Sequence, residues 1–174
     1  MAEGRRLERA AWAAYAVLLV VGLAAVASRS RQPTTPLHRG AKVVASSFDV
    51  AHGHDPLFAS DGFKPRDPLQ KWASSPSDPR PWIELRFAEP VTFSRIRVVH
   101  AGHVEPDGHT MRDYRLSCAG PTQAEVARAV HGNTKAVAEH ELDCHDVDRV
   151  RIDFQPESEA PRNIARVYEI EVLP

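Results

Sequence analysis

Apolar and polar side chains alternate in several short segments from about residue 41 onward. In the segment WIELRF, apolar Ile83, Leu85 and Phe87 are separated by Glu84 and Arg86. The same two-residue period occurs in SRIRVV (94–99), DRVRIDF (148–154) and YEIEV (168–172). Because successive side chains of a strand point to opposite faces, this period predicts half-buried antiparallel strands.

Turn-forming residues separate these segments, as at Asp61-Gly62, Pro106-Asp107-Gly108 and Gly132-Asn133. The chain has 14 prolines and 9 glycines among its 174 residues, which is typical of many turns and few long helices. Many short strands of this kind predict an all-β domain at residues 41–174, built as a β-sandwich or jelly roll. One stretch, TQAEVARAV (122–130), is compatible with a short helix and is left unassigned.

A different pattern occupies the first 40 residues. A basic segment at residues 1–10 precedes residues 11–27, AWAAYAVLLVVGLAAVA, which carry no charge. As a helix, this run would be about 26 Å long, close to the thickness of the hydrocarbon core of a bilayer. We therefore predict a single transmembrane anchor here, followed by a flexible polar linker at residues 28–40.

A cleaved secretory signal is the alternative interpretation of the same segment. Ala25-Val26-Ala27 before Ser28 resembles the small-residue site at which signal peptides are cut. The first interpretation predicts a single-pass membrane protein with its C-terminal domain extracytoplasmic, and the second predicts a secreted or periplasmic protein cleaved near Ala27. In both, the domain at residues 41–174 is exported.

The charge of the exported part bears on its partners. Residues 1–31 hold five arginines and two glutamates, a net charge of +3. Since the whole chain carries −1, the remainder carries −4, and no basic face is indicated. Nucleic acid is therefore not an expected partner.

Two cysteines, Cys118 and Cys144, each end a strand-like run. Neighbouring strands could bring them within bonding distance, and an oxidising compartment would allow one disulfide. Two buried thiols that pack as small apolar groups are the alternative.

The order of several motifs resembles the discoidin family, which includes the coagulation-factor C domains and bacterial galactose-binding-like carbohydrate-binding modules. The matching segments are ASSF (45–48), Asp61-Gly62, KWAS (71–74), PWIELRF (81–87), VTFSRIRVV (91–99), YRLSCAG (114–120), VRIDF (150–154) and ARVYEIEV (165–172). The resemblance implies a galactose-binding-like jelly-roll β-sandwich whose loops bind ligands at one rim. It also implies a structural calcium ion, because Asp61 and Glu169 match positions that bind calcium in many bacterial members.

The calcium site departs from the family pattern in one ligand. A threonine that commonly precedes the tryptophan is missing, and Gln70 would have to replace it beside Asp61 and Glu169. Calcium prefers six to eight oxygen ligands, so a site with one substituted ligand remains possible. In the alternative, Asp61 accepts hydrogen bonds within its turn and Glu169 faces solvent.

Histidines are concentrated in two of the three loops that the resemblance brings to the rim. The loops are Val50–Leu57, Ser74–Pro81 and His100–Arg112, and the candidate ligand-binding residues in them are His52, His54, Arg80, His100, His103, His109 and Arg112. Three interpretations stay open: a sugar site, in which these groups pair with hydroxyls; a zinc or copper site; and solvated loop histidines. Because the loops are otherwise polar, a phospholipid-binding rim with exposed apolar side chains is not expected.

Enzyme signatures are not found. HELDCH (140–145) spaces its histidines five residues apart in a strand-like segment, whereas a zinc-protease helix needs four. We therefore expect a non-catalytic binding module that recognises an envelope or extracellular glycan. A protein-interaction module of an envelope complex is the second interpretation, and a histidine-rich metal-binding protein is the third.

Overall fold

Seven antiparallel strands form the domain. In the computed structural model, which describes residues 37–62, 67–157 and 163–174, they are β1 (Lys42–Ala45), β2 (Trp72–Ala73), β3 (Trp82–His100), β4 (Tyr114–Ala119), β5 (Val126–Val130), β6 (Val137–Phe154) and β7 (Arg166–Leu173). Four short 3-10 turns lie in the loops, at Val50–His52, Pro56–Ala59, Ala101–His103 and Asp107–His109. The unassigned stretch at 122–130 contributes β5 and not a helix.

The predicted basic segment and anchor at residues 1–27 lie outside the described residues. Within the part of the chain that is described, no helix is long and apolar enough to span a bilayer.

The two longest strands, β3 and β6, bend and join two layers. The first layer holds β2, β7, the second half of β3 and the first half of β6. Here β7 pairs with β2 and with residues 95–100 of β3. In the second layer, β1 and the first half of β3 pair with the second half of β6, followed by β4 and β5. The register of β3 against β6 shifts between Arg86 and Arg95, which is where the chain passes from one layer to the other.

The core lies between the two layers and follows the predicted alternation. Ile83, Leu85 and Ile152 are fully buried, while Arg86 on the same strand is exposed. Trp72 is also fully buried, and its indole N–H donates to the carbonyl of Ser47 at 2.9 Å. The all-β jelly-roll prediction is confirmed, and Trp72 belongs to the core.

A disulfide joins Cys118 of β4 to Cys144 of β6, with 6.4 Å between the Cα atoms. Both residues are buried. Of the two alternatives that the sequence left open, the structure therefore has the disulfide.

The predicted linker at residues 28–40 extends too far. Leu37 N–H donates to the Val172 carbonyl at 3.2 Å, and His38 is 1% exposed. The backbone N–H of Val172 donates to His38 Nδ1 at 3.2 Å. Residues 37–40 are therefore part of the folded domain, because His38 satisfies polar groups of β7.

Candidate functional site

The loops at residues 46–57, 74–81, 100–113 and 131–136 meet at one end of the sandwich, which we call the loop end. In the second layer β1 ends there and β3 begins, since Ala45 lies opposite Ile83. In the first layer β3 ends there and β7 begins, since His100 lies opposite Val167. The strand order therefore brings the three predicted loops together at one rim.

A close contact between Gly102 and the side chain of Thr110 shapes the loop at residues 100–113. A Cβ atom added to Gly102 would lie 2.1 Å from Thr110 Oγ1, so a side chain there would require the Thr110 hydroxyl to move. The Asn133 side-chain amide donates to the Met111 carbonyl at 3.0 Å and to the Lys135 carbonyl at 3.1 Å. These contacts fix the loop against the neighbouring hairpin.

Glu105 holds the same loop against the first layer. Its carboxylate accepts from Lys71 Nζ at 2.8 Å, from His109 Nδ1 at 2.5 Å and from Tyr168 Oη at 2.9 Å. Burial would raise the pKa of Glu105, but the hydrogen bonds from Lys71, His109 and Tyr168 hold it below the usual value. Lys71 is 5% exposed and also donates to the Pro68 carbonyl. The buried Lys71–Glu105 ion pair, together with Tyr168, therefore joins two loops to β7.

His52 and His54 lie side by side in the loop that follows β1. Their ring centroids are 5.9 Å apart. His52 Nδ1 lies 2.8 Å from Asp49 Oδ2, and His54 Nδ1 lies 3.2 Å from the Leu69 carbonyl oxygen. Burial first, and then the charge of Lys71, lower the pKa of His54, which favours its neutral form.

The partners of these rings determine which nitrogen is left as an acceptor. A carboxylate or a carbonyl can only accept, so Nδ1 carries the hydrogen in His52, His54 and His109. In each neutral imidazole, Nε2 then keeps its lone pair and can accept a hydrogen bond. His52 is exposed, His109 is half-buried, and His54 is 8% exposed, so the first two are the more accessible acceptors.

His100 is a correction to the predicted set. It is completely buried, and its ring lies 5.3 Å from the ring of Tyr114. Its Nδ1 has no hydrogen-bond partner among the described residues. Burial and then the proximity of His140 lower the pKa of His100 to about 3. As the last residue of β3, His100 points into the core. It packs beneath the loop end and exposes no surface to a ligand.

The remaining predicted residues lie at the surface of the loop end. His103, Arg80 and Arg112 are exposed. Arg80 belongs to a loop fixed by Asp78, which accepts hydrogen bonds from two serines of the chain after β1. Arg112 borders a depression of about 250 Å³ that is also lined by Asp107, Thr110, Asn133 and Thr134.

Sequence reasoning missed two features of the loop end. The sequence does not indicate the pair Lys71 and Glu105, because their pairing depends on loops 34 residues apart in sequence. The loop end is also less polar than expected, since Val50 is 72% exposed and Phe48 and Val104 are 37% and 38% exposed. The prediction that this rim has no exposed apolar side chains is therefore wrong. The alternation of Phe48, Asp49 and Val50 is a sequence signal that could have indicated exposed apolar groups here.

Glu169 of the predicted calcium site is arranged differently from the alternative in which it faces solvent. Glu169 is 3% exposed and does not face solvent. Its two carboxylate oxygens accept from Gly62 N–H at 3.3 Å, and Oε1 also lies 3.1 Å from His38 Nε2. Because His38 Nδ1 accepts from Val172, Nε2 carries the hydrogen and donates to Glu169.

This arrangement is a poor fit for calcium. Two N–H groups already point at the Glu169 carboxylate, where a cation would need the lone pairs. Burial and then the nearby Asp61 charge raise the pKa of Glu169. Gln70 is exposed. Among the described residues, no group of three or more histidine, cysteine, aspartate or glutamate side chains is arranged to hold a metal ion, at the loop end or here.

No protein-family model and no curated protein matches the chain. Solved structures do match in fold. The family 32 carbohydrate-binding module from Streptococcus pneumoniae EndoD superposes with a TM-score of 0.65 at 18% identity, covering 79% of this chain and 98% of that one. The lectin domain of lectinolysin complexed with Lewis B antigen gives 0.65 at 16% identity, with 80% and 96% covered.

A third similar structure is chitosan-binding module 1 of a chitosanase/glucanase from Paenibacillus, with a TM-score of 0.64 at 16% identity, covering 80% of this chain and 98% of that one. At these identities the likeness concerns the fold. The described residues of the chain thus adopt the galactose-binding-like jelly-roll fold of the family 32 carbohydrate-binding modules.

Proposed function

We propose that the chain is a non-catalytic module that binds carbohydrate through the loop end. The modules with the same fold include a carbohydrate-binding module, a lectin domain complexed with Lewis B antigen and a chitosan-binding module. The fold places loops of independent sequence side by side on a rigid sandwich, so that polar groups can be arranged for a ligand at little cost in ordering entropy.

The observation that carries the proposal is the set of oriented imidazoles. His52 and His109 each direct Nδ1 to a carboxylate, and in the neutral form of each ring Nε2 is an acceptor. Sugar hydroxyls donate to such acceptors, and they accept from guanidinium groups such as those of Arg80 and Arg112. The exposed Val50 offers an apolar contact for the C–H face of a sugar ring.

Binding of a protein partner is the second candidate. Phe48, Val50 and Val104 expose apolar surface beside the polar groups of the loop end, as protein interfaces do. A metal-binding function has less support, since the described residues hold no metal-binding group of three ligands.

We also propose that the domain acts outside the cytoplasm, tethered to a membrane, where an envelope or extracellular glycan is within reach. The uncharged run at residues 11–27 supports the tether, and the disulfide between Cys118 and Cys144 suits an oxidising compartment. Clustering in a membrane would compensate for the weak affinity of a single sugar site.

A glycan array probed with the full chain in mild detergent tests the binding proposal. We expect saturable binding to a subset of glycans. His52→Ala and His109→Ala should each weaken it roughly five- to tenfold, the value of one lost hydrogen bond. His145→Ala is the matched control, because this histidine is 64% exposed but lies at the bend of β6, away from the loop end.

Silence across the array with a folded protein would reject the carbohydrate proposal and favour a protein partner. Equal losses for His145→Ala and His109→Ala would show that the loop end is not the site.

A further inference from the structure

The loop at residues 131–136, which joins β5 to β6, forms one wall of the loop end. We call it the β5–β6 loop. It borders the depression of about 250 Å³ beside Arg112 and a second depression of about 300 Å³, and Asn133 and Thr134 line both. Four of its six residues are exposed and none is fully buried. Hydrogen bonds therefore hold this loop more than apolar packing does, so that it can open without disturbing the core.

Asn133 attaches the β5–β6 loop to the loop at residues 100–113. Its backbone N–H donates to the Arg112 carbonyl at 2.9 Å, and its side-chain amide nitrogen donates to the Met111 carbonyl at 3.0 Å. The same amide nitrogen donates to the Lys135 carbonyl at 3.1 Å, while the amide oxygen accepts from the Lys135 N–H at 3.1 Å. These four bonds fix the orientation of the amide, with its NH₂ group toward residues 100–113.

His100 lies against this NH₂ group. Its Nε2 is 3.4 Å from the Asn133 amide nitrogen, and its Nδ1 has no hydrogen-bond partner among the described residues. The backbone N–H of His100 donates to the Ala136 carbonyl at 2.8 Å, at the other end of the β5–β6 loop. Since an amide NH₂ group can only donate, it is compatible with an imidazole nitrogen that keeps its lone pair. The closed loop therefore requires a neutral His100 with its hydrogen on Nδ1.

A second proton on His100 would oppose this attachment. It would put an N–H on Nε2, so that two donors face each other, and it would place a charge where the ring is completely buried. The neighbouring side chains do not compensate that charge. The Tyr114 hydroxyl is bonded to His140, and Arg128 and Lys135 bring further positive charge close to His140.

The carboxylates of this region have other partners. Asp113 accepts from the Gly132 N–H at 3.0 Å and lies 3.4 Å from His131 Nδ1, and Glu139 is paired with two arginines of β3. Among the described residues, no carboxylate forms an ion pair with His100. A charged His100 is therefore stabilised only when water reaches the ring, which requires the β5–β6 loop to move.

We propose that the β5–β6 loop is an acid-sensitive switch of the loop end: protonation of His100 breaks the attachment through Asn133, the loop opens, and water solvates the imidazolium. The open loop removes one wall of both depressions. A glycan bound at neutral pH is then released in mild acid, a consequence that rests on the proposed carbohydrate function. The opening itself needs no ligand, so it can be tested separately.

Hydrogen exchange of backbone amides, followed by NMR on the full chain in mild detergent, measures the opening. His100 has a pKa of about 3 in the closed form and the ordinary 6.5 once solvated, so the closed form is favoured above pH 6.5 and is lost as the pH falls toward 3. After correction for intrinsic exchange rates, the opening constant of the Gly132 and Asn133 amides should rise roughly 25-fold from pH 7 to pH 5.

Two internal references separate this opening from other motions. The Asp78 amide, which donates to the Ser75 carbonyl in the loop at residues 74–81, should show little change with pH. The amides of β4 should remain more protected than those of the β5–β6 loop at both pH values, because they exchange by unfolding of the whole domain. Equal protection of β4 and the β5–β6 loop would show global unfolding and contradict the switch.

Variants at the two contacting side chains identify the group that titrates. His100→Gln should abolish the pH response of the loop amides, whereas His140→Gln, the matched control at the neighbouring histidine, should keep it. Asn133→Asp replaces the donor with a carboxylate that accepts from a charged imidazole, so acid should close the loop in this variant. Asn133→Asp leaves His100 in place and decides the same question if His100→Gln does not fold. A constant opening in the wild type, or an equal response in His100→Gln, would overturn the proposal.

Glycan binding provides a separate readout of the consequence. The dissociation constant at pH 5 should exceed that at pH 7 in proportion to the open fraction that exchange measures. His100 contacts no ligand, so a difference between the wild type and His100→Gln in this ratio belongs to the β5–β6 loop and not to His52 or His109. Equal ratios would contradict the release of ligand. Absence of any glycan binding at pH 7 would reject the carbohydrate proposal, and the exchange result would still decide whether the switch exists.

Discussion

At the scale of the residue, His100 shows how position changes the chemistry of a side chain. The sequence places it in a histidine-rich segment, yet it is fully buried beside Tyr114, whose hydroxyl lies 2.7 Å from His140 Nε2. Burial disfavours the charged form of an imidazole, so this cluster is neutral in the folded domain. Its contribution to the protein is then one of stability and pH dependence.

Acid should destabilise the domain through His100. Its pKa is about 3 in the folded domain, against 6.5 for an ordinary histidine, so between these pH values the unfolded chain binds a proton that the folded domain excludes. Stability is therefore complete above pH 6.5 and is lost as the pH falls toward 3. Between pH 7 and 5 the loss should be on the order of 2 kcal/mol, seen as a lower Tm.

Thermal unfolding of His100→Gln across this range checks the assignment. The variant should have a lower Tm at pH 7 and a flatter pH dependence, whereas the exposed His131→Gln should follow the wild type. Parallel curves for all three proteins would contradict a buried neutral His100. The lowered pKa of His54 and of His140 acts in the same direction and remains in every variant.

At the scale of the element, side chains on both faces of β7 form hydrogen bonds with loops. Glu169 on this strand accepts from Gly62 and His38, and Tyr168 donates to Glu105. Successive side chains of β7 thus engage different loops, because they leave the strand on opposite faces. This use of neighbouring positions explains why both residues are buried although both are polar.

Removal of calcium should leave the fold intact, since protein N–H groups satisfy the Glu169 carboxylate. We expect the Tm to be the same with EGTA and with added calcium. His38→Ala should lower the stability by roughly 1–3 kcal/mol, because it leaves a buried carboxylate and the Val172 N–H without a partner. A Tm that falls with EGTA and recovers with calcium would restore the ion to this site.

At the scale of the whole molecule, the chain enters the domain away from the loop end. Leu37 pairs with Val172 near the end of β7, whereas the loop end lies where β7 begins. The point of entry therefore leaves the loop end free to contact a ligand.

We predict that the N-terminal segment is not cleaved from the mature protein. The mature protein should remain in the membrane fraction after an alkaline carbonate wash and should have the mass of the uncleaved chain, because residues 11–27 carry no charge and, as a helix, nearly match the thickness of the hydrocarbon core. A soluble product that begins at Ser28 would instead identify a cleaved signal. Replacing Val17 and Leu18 with arginine should release the full-length chain from the membrane and serves as a control.

The alternation of polar and apolar residues by itself determined the all-β class, most strands and the layered core. This holds because burial of one strand face imposes a two-residue period that needs no knowledge of partners. Residues 122–130 were ambiguous, since a short stretch rich in alanine and valine has no clear period. Its second part, Val126–Val130, forms β5 because β4 provides an edge with which it can pair.

Only the tertiary structure decided which polar residues act together. Lys71 and Glu105 are far apart in sequence, as are His38 and Glu169, and the bends of β3 and β6 determine which of their loops and strand ends meet. Side-chain chemistry is local in the sequence, but burial and distance are properties of the packed chain. For that reason the histidines of the rim could be predicted, whereas the burial of His100 and the tautomers of His52 and His109 could not.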